Sequence, residues 1–334
     1  MRDLYDYSLL EHNTFGIDAS CHRFLEYSTQ DEACEVAETL RHTTLPYIII
    51  GGGSNLLLTR NYPGIVVHSA IKGISRSQDC LLRCGSGEVW DDVVAFAVDH
   101  QLYGAENLSI IPGDVGASAV QNIGAYGVEV HELIESIEAV EIATGKSVVI
   151  SHDECGYAYR YSRFKGEWRN RYLITAVTYR LNPTFNPRLD YGNIRAELER
   201  RGIESPSAQQ LRDCIIDIRN AKLPDWHVEG NAGSFFMNPV VSRAKYEELS
   251  ARYADMPHYV IDDNHVKIPA GWMIDQCGWK GKSIGRAGVH DKQALVLLNR
   301  GGATGSEIVA LSDTIRRDVL DKFGIEIYPE VNVI

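Results

Sequence analysis

Apolar residues recur at helical spacing at Ala33, Val36, Ala37 and Leu40, directly after Thr29-Gln30-Asp31-Glu32, whose order is that of a capping box. A helix is predicted there. Residues 47–50 are an uninterrupted apolar run that reads as a strand entering Gly51-Gly52-Gly53-Ser54-Asn55 and leaving through Leu56-Leu57-Leu58, with a further strand at 65–68. Trp90, Val93, Val94 and Ala97 share one face of a second helix. From residue 105 to Gly127 the sequence is glycine-rich, and strands are then predicted at 137–142 and 147–150, joined as a hairpin by Ala143-Thr144-Gly145-Lys146. A strand at 172–181 ends in Asn182-Pro183-Thr184-Phe185-Asn186-Pro187. Ser205-Pro206 supplies an N-cap and first-turn proline for a helix carrying Leu211, Ile215 and Ile218. The last long helix opens at Thr304 with Glu307, carries Ile308, Leu311, Ile315 and Val319 on one face and stops at Gly324; a short strand is predicted at 325–328.

Helices and strands are mixed without the steady alternation that builds one doubly wound parallel sheet, which predicts an α+β fold. The 334 residues suffice for two or three domains. A boundary is expected near residue 203. Apolar residues are 44% and charged residues 23%, which excludes a largely disordered, collagenous or repeat-array chain. Lys plus Arg is 33 against 45 for Asp plus Glu, and a net charge of −12 repels a phosphate backbone, so no nucleic-acid partner is expected. Seven scattered cysteines, Cys21, Cys34, Cys80, Cys84, Cys155, Cys214 and Cys277, lack a CxxC pair or a His cluster at zinc-ligand spacing. They read as reduced thiols of a cytoplasmic protein that holds no metal. Residues 1–16 contain no apolar h-region, and no uncharged apolar run approaches the ~18 residues of a membrane span, so neither secretion nor membrane insertion is expected.

Two glycine segments carry the first chemistry. The dinucleotide fingerprint would require a glycine where Leu56 stands and a helix directly afterwards, so Gly51, Gly52, Gly53, Ser54 and Asn55 do not make that motif. A strand-loop-strand of bare main chain reads alone as a tight turn, and it can also form an anion nest for a pyrophosphate. The second segment, Ile111-Pro112-Gly113-Asp114-Val115-Gly116-Ala117-Ser118 with Gln121-Asn122-Ile123-Gly124-Ala125-Tyr126-Gly127, offers four glycines, small side chains and no Lys or Arg. Such loops suit a large, flat cofactor whose pyrophosphate is held by main-chain donors. Together the two favour a nucleotide cofactor. Gly281-Lys282-Ser283 imitates the end of a phosphate-binding P-loop, but its leading glycine would fall at Gln276, so ATP binding is unsupported.

In order along the chain, Ile50 to Leu57, Ile111-Pro112-Gly113, Gln121 to Gly127, Gly230-Asn231-Ala232-Gly233-Ser234-Phe235-Phe236 and Pro329-Glu330-Val331 resemble the UDP-N-acetylenolpyruvoylglucosamine reductase family. The resemblance runs from Asn13-Thr14-Phe15 to the last residues. It implies non-covalent FAD in a fold shared with flavin oxidases of the PCMH type, with Gly51, Gly52, Gly53, Ser54, Asn55, Pro112, Gly113, Gly116, Ala117, Ser118, Asn122, Gly124 and Ala125 as cofactor-binding residues. The implied domains are a first FAD-binding subdomain at 1–70, rejoined by 322–334, a second at 71–203, and a separate substrate-binding domain at 204–321. The implied reaction has NADPH as co-substrate: it reduces the flavin, and the reduced flavin passes hydride to the enolpyruvyl ether of a UDP-sugar, giving UDP-N-acetylmuramate for peptidoglycan. The stretch from Cys155 to Lys165 and the Tyr191-Gly192 loop resemble the longer class of the family, in which an extra tyrosine loop closes over substrate. A monomer or weak dimer is expected.

Reducing an enol ether conjugated to a carboxylate requires a hydride donor, stabilisation of negative charge and a proton, and the protein supplies the last two. The resemblance puts Ser234 at the proton-donor position, a poor acid unless nearby charge or a relay stabilises the alkoxide left behind. It puts Arg160, in Tyr159-Arg160-Tyr161-Ser162, opposite the substrate carboxylate, where a planar permanent cation can meet a developing enolate. Glu330, after Pro329, matches the family's third catalytic group. The resemblance implies substrate anchoring by Tyr191, Arg219, Lys222, Asn238, Lys267 and Gln293; Arg219 and Lys222 can instead, or as well, complement a helix dipole. Two positions depart from the family's pattern: Met237 where a lysine is common, and Asn332 where an arginine is expected. The rival readings are another FAD-dependent oxidase or dehydrogenase of the same fold, whose flavin is often tethered through His or Cys, and a non-catalytic flavin- or sugar-nucleotide-binding module. The glycine loops hold no such His or Cys, and a module would not need Arg160, Ser234 and Glu330 together.

Overall fold

The apolar run Tyr47–Ile50 pairs in parallel with Tyr62–Ser69, which pairs in parallel with Ser20–Tyr27; Arg2–Ser8 lies at the edge beyond it. In the computed structural model, which describes residues 1–334, these strands form a four-stranded sheet. Parallel strands need covered faces. The helix α1 (Gln30–His42) covers one, burying Ala33, Val36, Ala37 and Leu40 with Leu25, Ile65 and Val67; its Thr29 cap accepts from the Glu32 N–H at 3.2 Å.

A five-stranded antiparallel sheet follows, ordered Lys146–Ser151, Ile134–Glu141, Tyr172–Arg180, Leu81–Gly85 and Ile74–Arg76. The predicted hairpin is the first pair. Packed on it are α2 (Trp90–Asp99) and α3 (Val115–Gln121), with Trp90, Val94, Val115 and Ala119 in one core with Val177 and Tyr179. The helix α3 interrupts what the sequence presents as glycine-rich loop. Two more helices, α4 (Ile194–Arg200) and α5 (Ala208–Lys222), join through Ile194, Leu198, Leu211, Cys214, Ile215 and Ile218. The cap of α5 is Ser207, whose hydroxyl accepts from the Gln210 N–H, rather than Ser205.

The chain divides into two compact units, Met1–Tyr7 with Cys21–Gly52 and Tyr62–Ala221, and Ser8–Ser20 with Gly53–Asn61 and Lys222–Ile334. One division between these units falls at the end of α5. The physical cause is that α5 shares its apolar face with α4, while Arg212 grips Asp91 of α2 with two hydrogen bonds of 2.7 and 2.8 Å.

In the second unit, α6 (Arg243–Ser250) accompanies the three-stranded sheet Val240–Ser242, His265–Lys267 and Tyr259–Val260. Further on, α7 (Ala270–Gln276) and α8 (Gly305–Phe323) pack together, and α8 lies on the sheet of Ser283–Ile284, Ala287–Val289 and Leu297–Asn299. The predicted capping box of Thr304 and Glu307 opens α8, and Gly324 closes it at φ +64°. Residues 325–328 are not a strand. The terminal strand is Asn332–Val333, parallel to Leu56–Leu57. The fold is α+β.

Candidate active site

The first unit brings the two glycine segments into contact. A Cβ on Gly51 would lie 2.7 Å from the Ala117 Cβ, and one on Gly52 would lie 3.3 Å from Asp114 Oδ1 and 3.5 Å from the Gly113 Cα. A side chain at Gly51 would force the segments apart. The next glycine, Gly53, at φ +66°, belongs to the second unit, where a Cβ would sit 1.9 Å from the His12 carbonyl oxygen. The Gly113 carbonyl accepts from the Trp90 N–H, and the Gly116 N–H donates to the Ser86 carbonyl, fixing the second segment from behind. Ser118 turns its hydroxyl inward, donating to the Val115 carbonyl at 2.7 Å and lying 3.0 Å from the Tyr179 hydroxyl. Pro112 is exposed, and Gly113, Gly124 and Ala125 are half-buried. Side-chain-free main chain in close apposition fits a pyrophosphate-bearing cofactor of the flavin-nucleotide kind.

At about 1.5 Å per residue, the seven residues of α3 carry the chain roughly 10 Å from Asp114 to Asn122. There it meets Arg160. Ala158 and Tyr161 exchange main-chain hydrogen bonds of 3.1 and 2.9 Å, which places Tyr159 and Arg160 at the tip of a two-residue turn with Arg160 at φ +54°. The guanidinium donates to the Gly124 carbonyl at 2.7 Å and the Asn122 carbonyl at 3.4 Å, and pairs with Glu129 at 3.5 Å. A Cβ on Gly124 would come within 2.5 Å of Arg160 Nη1 and 2.9 Å of the Val128 carbonyl oxygen, so a side chain there would displace the guanidinium. Asn122 accordingly spends its own side chain on Glu129 and the Ala158 carbonyl.

Tyr191 is 41% exposed and packs over Gly127, whose Cβ would lie 3.3 Å from the Tyr191 Cβ. Arg219, on α5, donates to the Ile110 carbonyl at 3.5 Å, while its buried Nε has no hydrogen-bond partner. Burial pulls the Arg219 guanidinium below its ordinary value, opposed by Tyr126 and Asp91. A buried donor without an acceptor favours an incoming anion. Lys222, the last residue of α5, is exposed.

The second unit organises its candidates around residues 234–240. Ser234 bridges Val296, the Phe235 N–H donates to the Leu295 carbonyl, and Phe236 bridges Pro329. On the other edge, the Glu330 N–H donates to the Phe235 carbonyl at 2.8 Å, and the Met237 N–H donates to the Tyr328 carbonyl. Phe235 and Phe236 are both 1% exposed, with rings 5.1 Å apart, so they anchor a segment whose Ser234 stays exposed. Gly233 precedes it at φ +68°, its N–H donating to Asn231 Oδ1. Nothing crowds a Cβ there, so backbone conformation alone demands glycine. Asn238 accepts from the Ala270 N–H at 2.9 Å, and Lys267 pairs with Val240 while standing 5.6 Å from the Tyr259 ring centroid. Gln293 lies beside the buried His290, its N–H donating to His290 Nδ1, and burial lowers the His290 pKa. The Asn55 side chain donates to the Glu330 carbonyl at 3.2 Å, and Asn332 donates to the Asn55 carbonyl through both N–H and Nδ2 at 3.1 Å. Asn332 thus serves a main-chain clasp at the position where the family pattern has an arginine. No group of three or more His, Cys, Asp or Glu is arranged to hold a metal ion, and no helix is long and apolar enough to cross a membrane.

Comparison with known proteins decides the family. A UDP-N-acetylenolpyruvoylglucosamine reductase of Bacteroides fragilis is 55% identical over 332 residues, covering 98% of this chain and 99% of the relative. The chain belongs to the UDP-N-acetylenolpyruvoylglucosamine reductase family. A Porphyromonas gingivalis reductase is 49% identical over 98% of both chains. The crystal structure of the Thermus caldophilus reductase superposes with a TM-score of 0.68 at 22% identity, covering 99% of this chain and 98% of that one, and it shares the fold. An FAD binding domain matches residues 22–151, and the reductase C-terminal domain matches residues 225–334. This reductase is an oxidoreductase with an FAD-binding fold. Gly51 to Ala125 lie in the first match, and Ser234, Asn238, Lys267, Gln293 and Glu330 in the second, whereas Arg160, Tyr191, Arg219 and Lys222 fall between residue 151 and residue 225. Sequence reasoning missed Glu129 beside Arg160, and Asp91 and Arg212 behind Arg219. Glu129 stood two residues past the glycine motif and carried a readable charge; the other two are joined only by folding.

Proposed function

We infer that this reductase converts UDP-N-acetylglucosamine enolpyruvate to UDP-N-acetylmuramate, a peptidoglycan precursor, with NADPH as the electron source. The main chain at Gly51–Asn55 and Pro112–Ala117, with the small residues Gly124 and Ala125, would hold FAD, which would supply the hydride-transfer chemistry. Ser234 Oγ holds the proton delivered to the carboxylate-bearing carbon. Glu330 hydrogen-bonds the enolate-like species, and Arg160 faces the substrate carboxylate, where a preorganised cation lowers the barrier by about 3 kcal/mol. Arg219, Lys222, Asn238, Lys267, Gln293 and Tyr191 hold the UDP-sugar. The observation that carries the reading is the main-chain ladder on which Glu330 lies opposite Phe235, the residue next to Ser234. The unpartnered Arg219 Nε supports a polyanionic substrate. Seven free cysteines support a reducing cytoplasm, and the enzyme acts there as a monomer or weak dimer on small molecules. The test is product analysis: NADPH consumption dependent on the enolpyruvyl UDP-sugar, with a product heavier by two hydrogens. NADPH oxidation indifferent to that sugar would refute the reading.

A further inference from the structure

His68 has no part in the chemistry so far, yet it occupies the middle of the parallel sheet where the first glycine segment begins. Its register partners are Glu26 on one side and Ile50, the last residue before Gly51, on the other. The imidazole spans two carboxylates: Nδ1 lies 2.9 Å from Glu26 Oε2, and Nε2 lies 3.3 Å from Asp114 Oδ2. Arg2 completes the row, donating to Glu26 Oε1 at 2.9 Å. Side-chain exposure is only 14% for His68 and 13% for Glu26 and Asp114.

A ring nitrogen facing a carboxylate must donate, and two such nitrogens require the imidazolium. Burial pulls the His68 pKa down, but Asp114 and Glu26 outweigh it and hold the pKa above its ordinary value. Two cations then balance two carboxylates, with His68, Glu26 and Asp114 largely buried and Arg2 at the exposed end of the row. One end of that row is Asp114, whose carboxylate oxygens lie beneath Gly51 and Gly52. An uncompensated carboxylate there would repel a pyrophosphate resting on those glycines.

We propose that His68 is a positioning residue of the flavin site: bridging Glu26 and Asp114, it fixes the Asp114 carboxylate beneath Gly51 and Gly52 and cancels its charge where the FAD pyrophosphate rests. The proposal rests on the assignment of these glycine segments to FAD. Its signature is a defect in flavin affinity that removal of the Asp114 charge repairs.

The experiment titrates the full chain, freed of flavin, with FAD, following flavin fluorescence, for wild type, His68→Gln, Asp114→Asn, the double variant, and Gly51→Ala, each checked for cooperative thermal unfolding. His68→Gln is expected to raise the FAD Kd at least about tenfold, while kcat at saturating FAD stays within about twofold of wild type. Adding Asp114→Asn to His68→Gln is expected to bring Kd back to within about threefold of wild type, a coupling that mere loss of packing would not produce. Gly51→Ala is expected to weaken FAD binding. If Gly51→Ala binds FAD as wild type does, the loop assignment falls and the inference with it. If Gly51→Ala weakens binding while His68→Gln does not, or if Asp114→Asn fails to repair His68→Gln, the inference alone is overturned.

Discussion

Glu330 donates its main-chain N–H to the Phe235 carbonyl at 2.8 Å, one residue from Ser234. The segments carrying Ser234 and Glu330, the proposed proton donor and its companion acid, are thus joined through main chain. Fixed placement supplies the orientation a proton transfer needs, while stabilisation of the alkoxide left on serine must come from nearby charge or a relay. Ser234→Ala is therefore expected to slow reoxidation of reduced flavin by the enolpyruvyl UDP-sugar by about 10²–10⁴-fold, with NADPH-driven flavin bleaching nearly unchanged. Stopped-flow absorbance of the two half-reactions checks this; equal slowing of both would make Ser234 structural.

Arg160 holds φ +54° at a turn tip, a conformation that costs a residue with a Cβ about 1 kcal/mol. Arg160→Gly should relieve that cost and Arg160→Ala should not, so the glycine variant is expected to be the more stable by about 1 kcal/mol in urea unfolding. Both should lose about 10²–10³-fold in the substrate half-reaction. A second half-reaction unchanged in Arg160→Ala would remove this residue from the catalytic set.

Asp91 links α2 to α5 through Arg212 and accepts from the Ile110 N–H at 2.6 Å. Burial raises its pKa, but Arg212 and the Ile110 N–H outweigh burial and hold it below its ordinary value. A depressed carboxylate stabilises the fold above its unfolded pKa, about 3.9 for Asp, and that contribution vanishes as pH falls through the lower folded value. Asp91→Asn should lower stability by about 2 kcal/mol at neutral pH and flatten the acid side of the Tm against pH profile. An unaltered profile would contradict the clamp.

Gly53 combines φ +66° with a Cβ position 1.9 Å from the His12 carbonyl oxygen. Gly53→Ala must move main chain, and a loss above about 2 kcal/mol is expected by thermal unfolding. The same substitution at Gly233, at φ +68° in open space, should cost about 1 kcal/mol. Equal costs would contradict the crowding.

Much of this molecule is legible from local sequence because local physics decides it. The capping residues and apolar faces of α1 and α8 mark those helices within contiguous sequence. The helix α3 is hidden because Gly116, Ala117 and Ser118 read as loop, and burial of Val115 and Ala119 overrides their local preference. The terminal strand forms at Asn332 and Val333 and not at residues 325–328 because it pairs with Leu56 and Leu57, a partnership the local sequence does not announce. The site follows the same division. Glycine motifs and Ser234 lie in contiguous sequence, whereas Glu26, His68 and Asp114 meet across 42 and 46 residues. The parallel register alone brings Glu26 beside His68.

The most direct measurement is an anaerobic visible spectrum of the purified full chain, titrated with NADPH and then with UDP-N-acetylglucosamine enolpyruvate. The expected result is an oxidised flavin band that NADPH bleaches and the enolpyruvyl UDP-sugar restores, with UDP-N-acetylmuramate formed in equal amount. A chain that binds no flavin, or a bleached band that oxygen restores and the enolpyruvyl sugar does not, would contradict the assigned reaction.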